Sequence, residues 1–173
     1  MELYTERGFE QTTVAEIAAQ AGLTERTFFR YFADKREVLF SGASELQELI
    51  VNGVVAAPAT ATPLAAVAAA LEATGDLFEQ RREFAHARQG LIDANPELQE
   101  RELKKMATLA RAIAGALRDR GVAEPGASLT AEAGIAVFRI SFERWVEDPG
   151  RGNLEQIMRD SFVELEAAVT GTR

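Results

Sequence analysis

Cysteine is absent from the 173-residue sequence, and His86 is its only histidine. Without thiolates or clustered imidazoles, the sequence contains no candidate metal site and no disulfide framework, so we expect neither a metal nor another cofactor. It also has no glycine-rich phosphate-binding loop and no Cys-His pair that could activate a nucleophile. Carboxylate pairs such as Glu97 and Glu100 lie among lysines and arginines, where solvation and ion pairing explain them. These absences argue against an enzyme.

Long hydrophobic segments are also missing. The most apolar stretch, residues 54–71, is interrupted by Pro58 and Pro63, and the N-terminal residues MELYTER lack the apolar segment of a secretion signal. We therefore expect no membrane-spanning helix and no membrane partner, and we expect a cytoplasmic protein.

The formal net charge of −8 argues against binding a polyanion, because lysine and arginine contacts to phosphate supply much of a protein's affinity for DNA. This charge is unevenly distributed. Residues 1–40 contain seven acidic and five basic side chains, a net charge of −2, which leaves −6 for residues 41–173. Within residues 12–36, four bases exceed three acids. The N-terminal stretch is therefore where the charge permits contact with nucleic acid.

Apolar residues recur at spacings of three and four, and strand-type alternation is absent, so the sequence predicts an all-α fold. Capping residues mark the helix starts: Thr13 and Asp34 each precede a glutamate by three positions, and Thr62 and Asn95 each precede a proline. A further cap is Asn153. We predict a helix ending near Arg7 and helices over about residues 14–21, 25–32, 35–55, 63–79, 82–94, 96–120, 131–146 and 154–169.

One segment, TTVAEIAAQAGLTERTFFRYFADK (residues 12–35), has the spacing of a helix-turn-helix. Two short crossing helices need a small residue where they touch, a residue that tolerates positive φ in the turn, and apolar residues between them. Ala18 and Gly22 supply the first two. The apolar contacts are supplied by Val14, Ile17, Leu23 and Phe28.

The second of these helices has a polar face opposite its core-facing side. At 100° per residue, Arg26 and Arg30 lie on that face with Thr27 beside them, and Phe29 and Tyr31 flank it. In a major groove, arginine pairs with guanine and side-chain methyl groups contact thymine. Two arginines four residues apart are also common on solvated helices, so it is the surrounding helix-turn-helix pattern that points to DNA.

Residues 2–40, ELYTERGFEQTTVAEIAAQAGLTERTFFRYFADKREVLF, closely resemble the DNA-binding domain of the tetracycline-repressor (TetR) family of bacterial transcription regulators. The resemblance implies an N-terminal three-helix domain, residues 1–40, that contains the helix-turn-helix. It also implies that Thr13 contacts a DNA phosphate and that Tyr31 and Lys35 contact the DNA backbone. The residues expected to face the groove are Thr24, Arg26, Thr27 and Arg30.

Two features depart from the family pattern. At Phe29 the family more often has tyrosine, whose hydroxyl meets a phosphate, so we expect an apolar contact for Phe29 instead. Family members usually begin with a basic arm and a complete first helix, whereas Met1 aligns inside that helix. We therefore expect the natural chain to continue upstream of Met1.

The resemblance further implies that residues 41–173 form a helical bundle that binds a ligand and dimerises through its last two helices. The candidates for the dimer interface are Trp145, Leu154, Ile157 and Leu165. The candidates for lining a ligand pocket are Phe78, Phe84, His86, Leu91, Phe138 and Phe142. Apolar stripes and aromatic residues at such positions are also common in protein cores. If these residues do line a pocket, the phenylalanine-rich lining favours an apolar or aromatic ligand.

These residues and the resemblance together predict a ligand-responsive bacterial transcriptional regulator. The expected form is a repressor that binds a palindromic double-stranded DNA operator as a homodimer and is released by a small apolar or aromatic inducer. Activation instead of repression is one alternative. Another keeps the fold but makes the chain a helical ligand-binding or interaction module without specific DNA binding. Salt-dependent binding to a palindromic site distinguishes the regulator from such a module.

Overall fold

The computed structural model describes residues 1–148, 150 and 152–171. Within these residues the chain forms eleven α-helices and no strand, which confirms the all-α prediction. None of the described helices combines the length and apolarity needed to cross a lipid bilayer. In chain order the helices are α1 (Glu2–Arg7), α2 (Val14–Gln20), α3 (Glu25–Tyr31), α4 (Lys35–Leu39), α5 (Ala43–Ala56), α6 (Pro63–Glu72), α7 (Gly75–Glu79), α8 (Arg82–Ala94), α9 (Pro96–Asp119), α10 (Gly126–Glu147) and α11 (Leu154–Thr170).

The capping residues identified in the sequence begin helices as predicted. The Thr13 hydroxyl accepts the Glu16 N–H while the Glu16 carboxylate accepts the Thr13 N–H, which completes a capping box at the start of α2. Asp34 caps α4 by accepting the N–H groups of Arg36 and Glu37. Side-chain caps also begin α6 and α11, at Thr62 and Asn153.

Three predicted helices have different bounds in the structure. The helix predicted over residues 35–55 is divided into α4 and α5, because Gly42 adopts a φ of 87°. The helix predicted over residues 63–79 is divided into α6 and α7, where the buried hydroxyl of Thr74 donates a 2.6 Å hydrogen bond to the carbonyl oxygen of Leu71. Helix α10 begins five residues earlier than predicted, because the Glu124 carboxylate accepts the N–H of Ser128 and so satisfies its first turn.

Helices α1, α2 and α4 border a small core that they share with the rest of the chain. Its buried residues are Tyr4, Phe9, Leu39, Phe40, Ile92 and Leu98. The last two belong to α8 and α9, so the N-terminal helices pack directly against the C-terminal region. Tyr4 reinforces this core, since its hydroxyl donates a 2.6 Å hydrogen bond to the carbonyl oxygen of Lys35.

A second, larger core lies mainly between α5, α6, α9, α10 and α11. Its largest fully buried residues are Ile50, Val54, Val67, Leu71, Ile113, Leu117, Trp145, Leu154 and Met158. Gly134 brings α10 and α6 together, because a Cβ atom at this position would lie only 2.5 Å from Cγ1 of Val67. This core holds the long helices in place beneath the N-terminal helices.

Candidate nucleic-acid interface and adjoining cavity

Helices α2 and α3 form the helix-turn-helix that the sequence predicts. Ala18 is buried where the two helices meet, and Gly22 adopts a φ of 68° in the turn. Phe28 is buried and fixes α3 to the domain. Leu23, in contrast, is 44% exposed, so it is only partly covered by the two helices.

The exposed face of α3 carries the residues expected to read DNA. Arg26 and Arg30 are both exposed and lie one helical turn apart. Thr24 caps α3 by accepting the N–H of Thr27, and the hydroxyl oxygens of these two threonines are 3.0 Å apart. The polar groups at the start of α3 are therefore already ordered in the free protein.

Two aromatic side chains flank the arginines, and more than half of each is exposed to solvent. Phe29 is 55% exposed and Tyr31 is 65% exposed. The Arg30 guanidinium lies 4.7 Å from the centre of the Tyr31 ring and donates a 2.8 Å hydrogen bond to the Tyr31 hydroxyl. Neighbouring large rings that remain in water are typical of a contact surface.

The side chain of Lys35 points into the protein. Its ammonium donates hydrogen bonds to the carbonyl oxygens of Phe9, Glu10 and Thr12, at 2.7, 3.1 and 3.1 Å. It also lies 4.4 Å from the centre of the Phe9 ring. All three N–H groups of the ammonium therefore have protein acceptors. In the free protein the side chain ties α4 to the segment between α1 and α2, and its ammonium already uses its donors there, so the expected contact of Lys35 with the DNA backbone stays a prediction.

The hydroxyl of Thr13 is also engaged within the protein. It accepts the N–H of Glu16 and donates a 2.9 Å hydrogen bond to the Glu16 carboxylate, which also pairs with Arg7. The backbone hydrogen bond from Thr13 is the largest of the interactions that lower the pKa of Glu16 below its ordinary value. Thr13 therefore lies exposed at the start of α2, next to an ionised carboxylate.

The junction between α4 and the long helices is built around the ring of Phe40. Three cationic groups lie over this ring, those of Arg88, Arg101 and Lys105, at 4.8, 5.0 and 5.8 Å from its centre. Such distances are within the range of cation–π attraction. These four residues, with Glu37 and Glu102, form what we call the junction cluster.

Two arginines of the junction cluster connect the long helices to α4. Arg101 of α9 donates to both carboxylate oxygens of Glu37, at 2.8 and 3.1 Å. The Nε group of Arg88, on α8, donates a 2.8 Å hydrogen bond to the carbonyl oxygen of Leu39, the last residue of α4. The position of α4 is therefore fixed by both its side chains and its backbone.

Glu102 lies between two cations of the junction cluster. It accepts a 2.6 Å hydrogen bond from Arg88, and its other oxygen lies 2.7 Å from the ammonium of Lys105. Burial acts to raise the pKa of Glu102, but Lys105 and Arg88 more than offset burial and bring this pKa below its ordinary value. Burial lowers the pKa of Lys105 to about 8, with Glu102 opposing the shift. Glu102 is thus ionised and shared between Arg88 and Lys105.

A cavity of about 140 Å³ opens beside the junction cluster. Four of the residues predicted to line a ligand pocket do line it: Phe78, Phe84, Phe138 and Phe142. The ring of Phe78 lies 5.8 Å from that of Phe138 and 5.4 Å from that of Phe142, centre to centre. One side of this cavity is therefore an aromatic wall.

The opposite side of the cavity is formed by the end of α4 and by charged residues. Leu39, Phe40 and Gly42 line it where α4 gives way to α5. The charged residues of the lining are Arg81, Arg88, Glu102 and Lys105. A second cavity of about 310 Å³ shares Phe138, Phe142 and Glu102 with the first.

Two of the predicted pocket residues lie elsewhere. His86 is exposed on α8, and Leu91 packs against the small core of the N-terminal helices. Neither lines either of the two cavities. On α8 the first cavity is lined by Phe84, Ala85 and Arg88, whereas position 86 is turned about 100° away from Ala85.

Sequence analysis did not single out Arg88, Glu102 and Lys105, although one signal was present. Arg88 lies between the buried residues Ala85 and Ile92 at spacings of three and four. Glu102 and Lys105 continue the apolar positions 98 and 109 of α9 in the same way. A charged residue on the apolar face of a helix indicates a buried polar site, because an unpaired charge is costly there.

The residues predicted to form a dimer interface lie mainly in the chain's own core. Trp145 and Leu154 are both 0% exposed, and Ile157 is buried as well. The indole N–H of Trp145 donates a 2.6 Å hydrogen bond to the carboxylate of Glu79. In this conformation Trp145 and Leu154 therefore have no exposed area to contribute to a contact with a second chain, and Ile157 has little. Leu165 is half-buried. The large apolar residues that α10 and α11 expose are Leu129, Ile140, Val163 and Val169.

The fold and the helix-turn-helix define a helical DNA-binding transcription regulator. Comparison with known families identifies the family. Residues 1–41 match the family described as "Bacterial regulatory proteins, tetR family", and residues 61–170 match the family described as "MftR C-terminal domain". The second match covers more than half of the chain. The chain belongs to the TetR family of transcriptional regulators, a family of regulators and not of enzymes.

A curated relative matches part of the chain. It is the HTH-type transcriptional regulator TcmR of Streptomyces glaucescens, which is 38% identical over 73 residues. The match covers 42% of this chain and 32% of that protein. The chain therefore matches about a third of the length of this relative.

Three solved structures share the whole architecture. FadR of Thermus thermophilus, a TetR-family repressor in complex with lauroyl-CoA, matches with a TM-score of 0.59 and 20% identity over 100% of this chain and 91% of its own. A transcriptional regulator from Rhodococcus sp. Rha1 matches with a TM-score of 0.58 and 21% identity over 98% and 91% of the two chains. PfmR, also of Thermus thermophilus, matches with a TM-score of 0.50 and 23% identity over 93% and 91%. At these identities the likeness shows the fold.

Proposed function

We propose that the protein is a ligand-responsive transcriptional repressor that binds a palindromic operator as a homodimer and is released by a small molecule with an apolar or aromatic body. Residues 1–40 form its DNA-binding domain and residues 41–173 its ligand-binding and dimerisation domain. The observation that carries this proposal is the hydrogen bond from Arg88 to Leu39, which joins an aromatic cavity to the element that supports the helix-turn-helix.

In this proposal α3 enters the major groove. Arg26 and Arg30 pair with bases, while Thr27 contributes its methyl group and hydroxyl. Phe29 makes an apolar contact and the hydroxyl of Tyr31 faces a phosphate, since both rings are exposed beside the arginines. Thr24 and Thr13 begin α3 and α2 and lie at the edges of the same surface.

The homodimer forms through the outer faces of α10 and α11. The two helices pack against each other, and Leu129, Ile140 and Val163 remain exposed on them. Exposed apolar residues on two neighbouring long helices support a contact with a second copy. Such a dimer places two α3 helices on one side of DNA, as half-sites about 34–36 Å apart require.

The ligand occupies the cavity between the aromatic wall and the junction cluster. The complex of Thermus thermophilus FadR with lauroyl-CoA supports this idea, because a protein of the same fold binds a molecule with an apolar chain. A ligand that separates α4 from Arg88 changes the orientation of α3 in each protomer. Both α3 helices then no longer fit adjacent grooves, and the operator is released.

Selection of bound fragments from a genomic DNA library tests this function. We expect one palindromic sequence to be enriched, and affinity for it to fall steeply with salt concentration as phosphate-bound counterions are released. The control is the double variant Arg26→Ala, Arg30→Ala, which should enrich no sequence. Equal weak binding of all fragments by the wild-type protein would refute specific DNA recognition and identify a helical ligand-binding module without it.

A further inference from the structure

The charged side of the cavity has an excess of cations in an otherwise acidic protein. Three cationic side chains, those of Arg81, Arg88 and Lys105, line it against one carboxylate, that of Glu102. The whole chain carries a formal charge of −8. The cavity therefore combines an aromatic wall with a local charge of the opposite sign to that of the protein.

Hydrogen bonding in this part of the cavity is short of acceptors. Both oxygens of Glu102 are occupied, one by Arg88 and one by Lys105. The lysine ammonium has three N–H groups, and Glu102 is its only ion-pair partner among the described residues. The guanidinium of Arg81 makes no hydrogen bond or ion pair within the described part of the chain. A cationic ligand would meet three cationic side chains and a carboxylate that already pairs with two of them, whereas an anion would supply further acceptors to Lys105 and to the exposed Arg81.

The same cations are connected to the DNA-binding helices. Arg88 holds Glu102 with one nitrogen and the carbonyl oxygen of Leu39 with another. Leu39 is the last residue of α4, and Gly42 is the N-cap of α5. The carbonyl of Leu39 therefore lies at the break between the two helices, and this break also lines the cavity. A change in the hydrogen-bond partner of Arg88 therefore alters the contact that holds the end of α4.

We propose that the inducer is an amphipathic anion whose acidic group replaces Glu102 as the partner of Lys105 and Arg88, and that this exchange withdraws Arg88 from Leu39 and releases α4. The apolar part of the ligand packs on Phe78, Phe138 and Phe142. No covalent step is involved. The inference rests on the proposed ligand-responsive function, and it adds the chemical class of the ligand and the contact through which the ligand acts.

Ligand binding is tested without DNA, with a matched pair of fluorescent probes. The anion is 1-anilinonaphthalene-8-sulfonate, and N-phenyl-1-naphthylamine is the same ring system without its sulfonate. Trp145 is the only tryptophan in the sequence, and its ring lies 5.5 Å from that of Phe142, so energy transfer from Trp145 reports a probe bound near the aromatic wall, and the variants below assign it to this cavity. We expect the anion to bind about tenfold more tightly than the neutral probe, an effect of one good ion pair.

Variants assign that preference to the junction cluster. Lys105→Met should abolish the preference for the anion, and Glu102→Gln should strengthen binding of the anion by removing the competing carboxylate. Lys104→Met, at an exposed neighbouring lysine outside this cavity, is the matched control and should change neither affinity. Equal affinity for the two probes, or an unchanged preference in Lys105→Met, would overturn the assignment of an anionic ligand.

Release of α4 is measured by the distance between two spin labels. The chain has no native cysteine, so Ala19→Cys on α2 and Ala107→Cys on α9, both exposed, can be labelled specifically. Labelled protein is diluted with unlabelled protein so that distances within one chain dominate. We expect the sulfonate probe to change this distance in the wild type. In Arg88→Lys, which keeps the charge but cannot hold Leu39 and Glu102 together, the probe should change it much less. Identical responses in the two proteins would overturn the role of Arg88.

Failure of DNA binding would instead leave the probe-binding and spin-label results intact, and it would refute only the proposed function.

Discussion

Arg88 and Leu39 are 49 positions apart in sequence, and the Nε group of Arg88 donates a 2.8 Å hydrogen bond to the carbonyl oxygen of Leu39. This bond joins a helix that lines the cavity to the end of the helix that follows the DNA-binding pair. The adjacent ring of Phe40 extends the contact, since Arg88, Arg101 and Lys105 lie over it. The DNA-binding helices are thus held by the same side chains that surround the cavity.

Replacing Phe40 with alanine should destabilise the protein strongly. Phe40 is 5% exposed in the small core and supports three cations, so its loss leaves a void and removes their ring partner. We expect a loss of about 3–5 kcal/mol in the free energy of unfolding, measured by urea denaturation. Phe29→Ala, at the exposed ring on α3, is the control and should change this free energy by less than about 0.5 kcal/mol. Similar losses in both variants would show that Phe40 does not hold the junction.

Replacing Lys35 with methionine should loosen the N-terminal helices. The variant loses hydrogen bonds from an ammonium to three carbonyl oxygens, and those oxygens are left without their donor. We expect about 1–3 kcal/mol less stability and faster amide hydrogen exchange in α1 and α2. If Lys35 instead acted only on DNA, exchange in the free protein would be the same in the variant and the wild type.

The stability of the protein should rise with pH between about 8 and 10 because of Lys105. Burial lowers its pKa to about 8 in the folded chain from an ordinary value of 10.5, so over this range the unfolded chain holds a proton that the folded chain has lost. Raising the pH therefore favours the folded state, by about 3 kcal/mol at most. Tyr4 acts in the opposite direction only above pH 10, because burial raises its pKa to about 12.

The measurement is the free energy of urea unfolding of the wild type and of Lys105→Met at several values of pH from 7 to 10. The difference between the two proteins should grow in favour of the wild type as the pH rises through 8. Lys104→Met should follow the wild type. A difference that stays constant over this range would contradict the lowered pKa of Lys105.

A charge on the outer face of α10 and α11 should prevent dimerisation. Val163 is 62% exposed and Ile140 is 47% exposed, so Val163→Glu and Ile140→Glu place a carboxylate in the proposed interface without disturbing either core. We expect both variants to sediment as monomers in analytical ultracentrifugation. Leu49→Glu, at a similarly exposed position on α5, should sediment like the wild type. If the wild type sediments as a monomer, or if the two variants sediment as dimers, the proposed interface on α10 and α11 is refuted.

The helix-turn-helix could be predicted from sequence because its determinants are local. The capping box of Thr13 and the turn at Gly22 depend on residues within a few positions of each other. The junction cluster could not be predicted in the same way, since Glu37, Arg88 and Glu102 are brought together only by packing of three helices. Apolar periodicity on α10 and α11 shows that each helix has a buried face, but it does not say whether the chain or a partner buries it. That ambiguity is why the sequence pattern assigns Trp145 and Leu154 to an interface, whereas the structure places them in the core.

The most direct test of specific DNA recognition is the affinity for the selected operator, measured by fluorescence anisotropy against a scrambled duplex over a range of salt concentrations. We predict that the wild type binds the operator about 10³-fold or more tightly than the scrambled duplex, with the logarithm of affinity falling linearly with that of salt. Arg26→Ala should lose about 1–3 kcal/mol of operator affinity, while binding to the scrambled duplex changes little. Equal affinity of the wild type for the two duplexes would contradict the account.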